Sequence, residues 1–292
     1  MSSTEKRFGS YGVYSDAEDK SHAITKWPPI IFFGAFYGVI IISVVNIIIS
    51  DVIPGALQPE TWYTFYKMTA PFNRTTVSGF IEYFIIQFIL LHCYYAGLIP
   101  CFSFFVGVCN YLEASCLDLA EQFESIDNDI RLLAFKQIDL KLKLKWIVQI
   151  HMKIVEQFNL SARIFSGIIF FQLACGSAFI SMTVFQLDLA WGTFDGNFFV
   201  VVCVFILSIM CIFPYCWYAT NLSLKLQNIA DDAYDSLWYT HPYEMQIFTK
   251  RIIAYAQIRR SYDGYHIFRC SLEIFMKIAK ASASYYLMLK SF

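Results

Sequence analysis

Four stretches of this 292-residue chain, 27–50, 83–112, 164–187 and 196–224, contain no Asp, Glu, Lys or Arg. A helix needs about 20 predominantly apolar residues to cross the hydrocarbon layer of a bilayer, and each stretch exceeds that. A water-soluble fold cannot absorb four such runs, because helices apolar all round must be hidden on every side. Composition agrees. Apolar residues make up 57% of the chain and charged ones 15%, where a soluble domain carries roughly 25%, and mean hydropathy is +0.49. The chain reads as an all-α, polytopic membrane protein whose first partner is the lipid bilayer. A fifth stretch, 265–289, is broken by Arg269, Glu273, Lys277 and Lys280, and approaches membrane character only from Ile278 onward.

Basic residues near the ends of the spans orient them, since cytoplasmic loops retain Lys and Arg. Segment 1–26 holds Lys6, Arg7, Lys20 and Lys26. Segment 113–162 holds Arg131, Lys136, Lys141, Lys143, Lys145 and Lys153, and 222–264 holds Lys225, Lys250, Arg251, Arg259 and Arg260. The alternate connections are poor in both. The bias predicts five transmembrane helices at 27–50, 79–112, 163–187, 196–221 and 265–289, with the N-terminus cytoplasmic and the C-terminus extracellular. Segments 51–78 and 188–195 are then outside, while 1–26, 113–162 and 222–264 are inside. An acceptor triplet, Asn73-Arg74-Thr75, falls in the first outer loop, where glycosylation would require it to be.

The same residues exclude several functions. A balance of 22 basic and 23 acidic residues leaves no surplus to meet phosphates, so no nucleic acid is expected. The first span is too long, and its flank too acidic, for a cleaved signal peptide. The nine cysteines lie in spans or on the inner side, which predicts buried apolar thiols and no disulfide framework. The five histidines show no HExxH spacing and no CxxC pair exists, so neither a metal nor another cofactor is expected. A phosphate loop and a nucleophile elbow are also missing, and the chain is read as a non-enzyme. His92 sits inside a span, where an ionisable group is either functional or a neutral imidazole bonded to a neighbouring helix.

The inner connections carry helical periodicity. Leu117, Phe123, Ile126, Ile130, Leu133, Ile138, Leu142, Ile147 and Ile154 recur at that spacing without Gly or Pro, predicting that spans two and three continue as amphipathic helices. Their apolar faces cover either their own chain or a neighbouring subunit. Tyr234, Trp238 and Tyr239 are expected at a membrane interface.

In the last span a Lys or Asp at mid-membrane costs about 2.5 to 3.5 kcal/mol, whereas a Leu contributes only about 0.3 to 0.6. Its first half must therefore lie in cytoplasm or among other helices. Heptad spacing separates two stripes: Lys277, Ala281, Ser284, Met288 and Ser291 on one, Phe275, Ile278, Ser282, Tyr285 and Leu289 near the other. The first, small or polar except at Met288, suits either a wettable path closed by a ring of thioethers or close packing through small residues.

Ser271-Leu272-Glu273-Ile274-Phe275, then Ile278-Ala279-Lys280 and Ser284-Tyr285-Tyr286, resembles the closing signature of insect odorant receptors, seen there as SLETF, IxK and AYSYY. Ala283 stands where that family has Tyr. Upstream, Tyr215-Cys216-Trp217-Tyr218-Ala219-Thr220-Asn221, Ala233-Tyr234-Asp235-Ser236 and Trp238-Tyr239 are similar to the end of its sixth helix and the loop beyond, and Gln257 and Gly264 match its usual Gln and Gly.

The resemblance implies a seven-helix subunit of a tetrameric ligand-gated cation channel, in which the five spans here match helices three to seven and the first two are expected to be missing. It implies an odorant receptor that binds a small volatile odorant and works in a heterotetramer with a shared co-receptor, in the plasma membrane of olfactory sensory dendrites. The family's ligand site in the outer half of the bundle corresponds here to Val45, Ile49, Tyr83, Phe84, Gln87, Phe88, Met182, Phe185 and Phe199. Its pore and gate correspond to Ser284, Met288, Leu289 and Ser291 within the pore-lining helix 265–289. A gustatory receptor of the same superfamily is the nearest rival, but Ser291 stands where its closing motif has Gln. A G-protein-coupled receptor would need the opposite orientation, and a transporter inverted repeats with broken helices.

Overall fold

The computed structural model describes residues 76–131, 137–191, 196–236, 238–240 and 243–290, together with isolated positions between 19 and 41. The span at 27–50 with Val45 and Ile49, the Asn73 triplet, and Ser291 lie outside these residues, as do the side chains of Phe199, Tyr285 and Leu289.

Three long helices dominate: α1, Val77–Arg131; α2, Gln137–Ala190; and α3, Gly196–Asp235. Each carries one charge-free run and continues well beyond it. Within them Ala96–Ile126, Lys141–Leu189 and Val201–Asp235 are long and apolar enough to cross a membrane, and Ser78–Leu90 is a shorter apolar segment. Pro100 sits inside α1 and Pro214 inside α3. Each removes one backbone donor, a loss that membrane helices tolerate because neighbouring groups take up the freed carbonyl. After α3 come a short 3-10 turn at Trp238–Thr240, α4 at Tyr243–Ala256, a two-stranded hairpin, and α5 at Leu272–Lys290.

That hairpin corrects the expectation of helix from residue 265. Strands β1, Asp263–Gly264, and β2, Phe268–Arg269, pair antiparallel with Gly264 opposite Phe268. Between them Tyr265 and His266 take φ of 49° and 60°, and Ile267 N donates to Gly264 O at 2.9 Å. Two consecutive left-handed residues are the geometry of a type I′ hairpin turn, normally occupied by Asn-Gly. α5 begins only at Leu272, where Ser271 Oγ caps Ile274 N at 3.4 Å and Glu273 lies in the positive first turn.

The chain forms two compact units. One comprises 1–23, 105–175 and 212–277; the other comprises 24–104, 176–211 and 278–292. In the first, Phe105, Leu112, Leu119, Ile126, Ile147, Ile154 and Ile212 are fully buried, and Phe105 meets Phe165 edge-on at 5.0 Å. Of the periodic positions, Phe123, Ile126, Ile147 and Ile154 are inside, whereas Leu117 and Leu142 face out. A stripe needs only part of its members to close the core, and the remainder keep the same helical register on its edge. In the second unit Ile81, Ile85, Ile86, Ile89 and Leu90 line the outside of α1 while Phe80, Tyr83 and Gln87 turn inward. An apolar exterior over a partly polar interior suits a hydrocarbon surround. The thiols divide likewise: Cys109, Cys116, Cys216 and Cys270 are buried, but Cys93, Cys175 and Cys203 stand on such outer faces, and all nine are free.

Candidate functional site

In the second unit α1 places a short polar and aromatic ladder. Tyr83 and Gln87, one turn apart, are both buried, and Gln87 Nε2 donates to Tyr83 Oη at 2.7 Å. Phe84 stacks on Phe80 at 6.1 Å between centroids, and Phe88 stacks on His92 at 5.8 Å. The expected ligand residues Tyr83, Phe84, Gln87 and Phe88 therefore form one continuous strip of a single helix. Met182 and Phe185 of α2 stand on the surface of the chain instead. Chemically the strip offers aromatic faces and one phenol-amide pair, which fits a small, mostly apolar ligand with one polar group.

The outer part of α5, in the same unit, shows two distinct faces. Ser282 is buried, donates to Ile278 O at 2.9 Å, and accepts from Ser181 Oγ of α2 at 3.2 Å. One turn on, Tyr286 Oη donates to Asp188 Oδ1 of α2 at 2.7 Å. Ala281, Ser284 and Met288 occupy the other side and are exposed, Met288 by 49%. Ser284 turns its hydroxyl back onto its own helix, donating to Lys280 O at 3.0 Å. Both α2 partners were missed by sequence reasoning. Asp188 gave one clue, as the first carboxylate after a charge-free run.

In the first unit Tyr262 is the hub. It is fully buried between Phe105 at 5.1 Å and Phe158 at 5.0 Å, and its hydroxyl shares a hydrogen bond with Ser161 at 2.9 Å. Burial, and next the neighbouring Cys109, hold the phenol well above its ordinary pKa, so it stays neutral. Its carbonyl accepts from Cys270 N at 2.7 Å, and Leu272 N donates to Thr220 Oγ1 of α3 at 3.0 Å. The base of α5 is thus tied to α3 and the core. Tyr234 and Tyr239 are exposed, with Lys250 above the Trp238 ring at 5.4 Å. Among the described residues no cluster of His, Cys, Asp or Glu could hold a metal ion.

A family model described as 7tm Odorant receptor matches residues 14–283. Two solved structures of the insect olfactory receptor OR5 from Machilis hrabei share the fold. The complex with eugenol superposes with a TM-score of 0.70 at 16% identity, covering 97% of this chain and 70% of that one. The second OR5 structure gives 0.67 at 15% identity with the same coverage. No curated protein sequence matches the chain.

Proposed function

This chain belongs to the 7tm Odorant receptor family, and on that premise we propose that it is one subunit of an odorant-gated, non-selective cation channel that works with a shared co-receptor. The family is one of receptors, not of enzymes, and the long apolar helices suit a multi-pass membrane protein. In this reading the N-terminus is cytoplasmic, the C-terminus is extracellular, and the channel sits in the dendritic plasma membrane of olfactory neurons.

The observation that carries the proposal is the two-sidedness of α5. Ser282 and Tyr286 hold one face against α2, leaving Ala281, Ser284 and Met288 unburied. A helix anchored to its own subunit on one side and lined with small or polar groups on the other is what a pore axis needs. Met288 is the bulky member of that stripe and acts as the gate, with Ser284, Leu289 and Ser291 beside it. The α1 strip of Tyr83, Phe84, Gln87 and Phe88, with Val45, Ile49, Met182, Phe185 and Phe199, receives a small volatile odorant. That one OR5 structure holds eugenol supports a ligand of this size.

The test is co-expression with the co-receptor in oocytes under voltage clamp. Odorant-evoked cation current that disappears when either subunit is omitted is expected. Current that depends on G-protein turnover would overturn the reading. A C-terminal tag reached by antibody on intact cells is expected as well, and its detection only after permeabilisation would reverse the orientation.

A further inference from the structure

Beneath the base of α5 the first unit holds a cavity of about 350 Å³, within the size range of small-ligand sites. Its lining includes Arg259, Arg269 and Lys277 against the single carboxylate of Glu273, with His266 and, from α3, Thr220 and Ser223. Three permanent cations face one anion. That anion is engaged: Glu273 Oε1 lies 2.6 Å from Lys277 Nζ. Among the described residues neither Arg259 nor Arg269 is in ion-pair contact with a carboxylate. His266 also lines the cavity and lies 3.6 Å from Asp263.

Two exposed arginines, one four residues before a tight hairpin and the other in its second strand, need a reason. The hairpin is expensive to form, because Tyr265 and His266 are non-glycine residues in the left-handed region. It is nevertheless firmly docked: Tyr265 N donates to Ser166 Oγ at 2.9 Å, and its ring meets Phe170 at 5.5 Å. Arg269 is therefore presented by a rigid element, and it lines the same hollow as Arg259. Planar guanidiniums are suited to phosphate, which they grip bidentately.

We propose that this cleft is a binding site for a phosphomonoester-bearing anion, held by Arg259 and Arg269 with Lys277 in support. Basic pockets between membrane helices on the cytoplasmic side take inositol-phosphate headgroups. The cleft lies on that side in the orientation proposed above, so the lipid source rests on that reading. The site itself does not, since a soluble phosphate compound offers the same chemistry.

The full chain in phosphatidylcholine nanodiscs tests both sources, one arm doped with phosphatidylinositol bisphosphate and the other given soluble inositol trisphosphate. Hydrogen exchange across 259–277 is the readout. Slowed exchange in the first arm alone assigns a headgroup, and in the second alone a soluble phosphate; either supports the site. A basic residue near an anionic headgroup contributes about fivefold in affinity, so Arg259→Gln with Arg269→Gln is expected to weaken binding by about 25-fold. Lys153→Gln, an exposed lysine outside the cavity, should bind as wild type. Glu273→Gln removes the only carboxylate in the lining and should tighten binding, which keeps the test alive if the double variant fails to fold. No protection by either source, wild-type binding by the double variant, or equal loss in Lys153→Gln would overturn the proposal.

Discussion

Gly264 rests directly on the backbone of Phe170: a methyl group at its Cα would stand 2.9 Å from Phe170 Cα and 3.1 Å from Phe170 N. Real Cβ atoms do not approach backbone so closely, and a helix backbone cannot give way. Gly264→Ala is expected to destabilise the protein by about 1–3 kcal/mol, the usual cost of overpacking. Gly167→Ala is the internal comparison, because there the methyl would meet only the hydroxyl tip of Tyr265 at 3.0 Å. Thermal unfolding in detergent should rank wild type above Gly167→Ala and that above Gly264→Ala. The reverse ranking would reject the close docking of the hairpin on α2.

Tyr262 offers a prediction that separates its ring from its hydroxyl. In Tyr262→Phe the ring still fills the space between Phe105 and Phe158, and Ser161 keeps its bond to Phe158 O at 2.8 Å. The loss should be about 1 kcal/mol, that of one ordinary hydrogen bond. Tyr262→Ala also opens a cavity and should cost about 3–5 kcal/mol. Equal losses for the two variants, by denaturant titration, would mean that the ring contributes nothing.

His151 predicts an acid limit. Burial first, and the charge of Arg260 second, push its pKa down from 6.5 to about 4. A group that is neutral in the fold but protonates readily once unfolded binds more protons in the unfolded state between those values. Stability is therefore full above pH ~6.5 and falls as pH drops towards 4, by at most about 3 kcal/mol. His151→Gln should flatten this part of the unfolding profile. A profile as steep in the variant as in wild type would assign the acid loss to other groups.

The long helices were legible in the charge-free runs because hydrocarbon tolerates no other backbone arrangement of that length. The two faces of α5 were legible in part: heptad spacing separates exposed Ala281, Ser284 and Met288 from buried Ser282, but Tyr286, which also anchors the helix to α2, falls on neither stripe. The hairpin was not legible. Tyr265 and His266 are held in the left-handed region by Ser166 and Phe170, residues about a hundred positions upstream, and nothing local in their chemistry announces a turn. Tyr286 and Asp188, 98 positions apart, are joined in the same way. A polar pair between helices has no period, so only the fold reveals it.

The α1 strip and the α5 stripe perform separable tasks in the proposed channel. Phe84 belongs to the strip, stacks on Phe80, and is only half-buried. Phe84→Ala should shift the odorant concentration giving half-maximal current by about tenfold, as the loss of one aromatic contact of about 1–1.5 kcal/mol implies. Reversal potentials in mixed sodium and potassium should not move. A change in ion selectivity would show that the strip is not confined to ligand recognition.

Met288 is the decisive position on the other face. Its thioether side chain is 49% exposed, four residues beyond Ser284, on the side of α5 opposite the contacts of Ser282 and Tyr286. A ring of such side chains closes a narrow pore by excluding water, and replacing each with a hydroxyl lowers that barrier without widening the helix packing. Met288→Ser is expected to raise the basal current severalfold in cells that also express the co-receptor, while Met288→Leu, similar in volume and apolarity, should stay closed at rest. Surface labelling must show equal amounts of the three proteins for the comparison to hold. Leak that is the same in all three would remove Met288 from the gate and leave close helix packing as the purpose of the small-residue stripe.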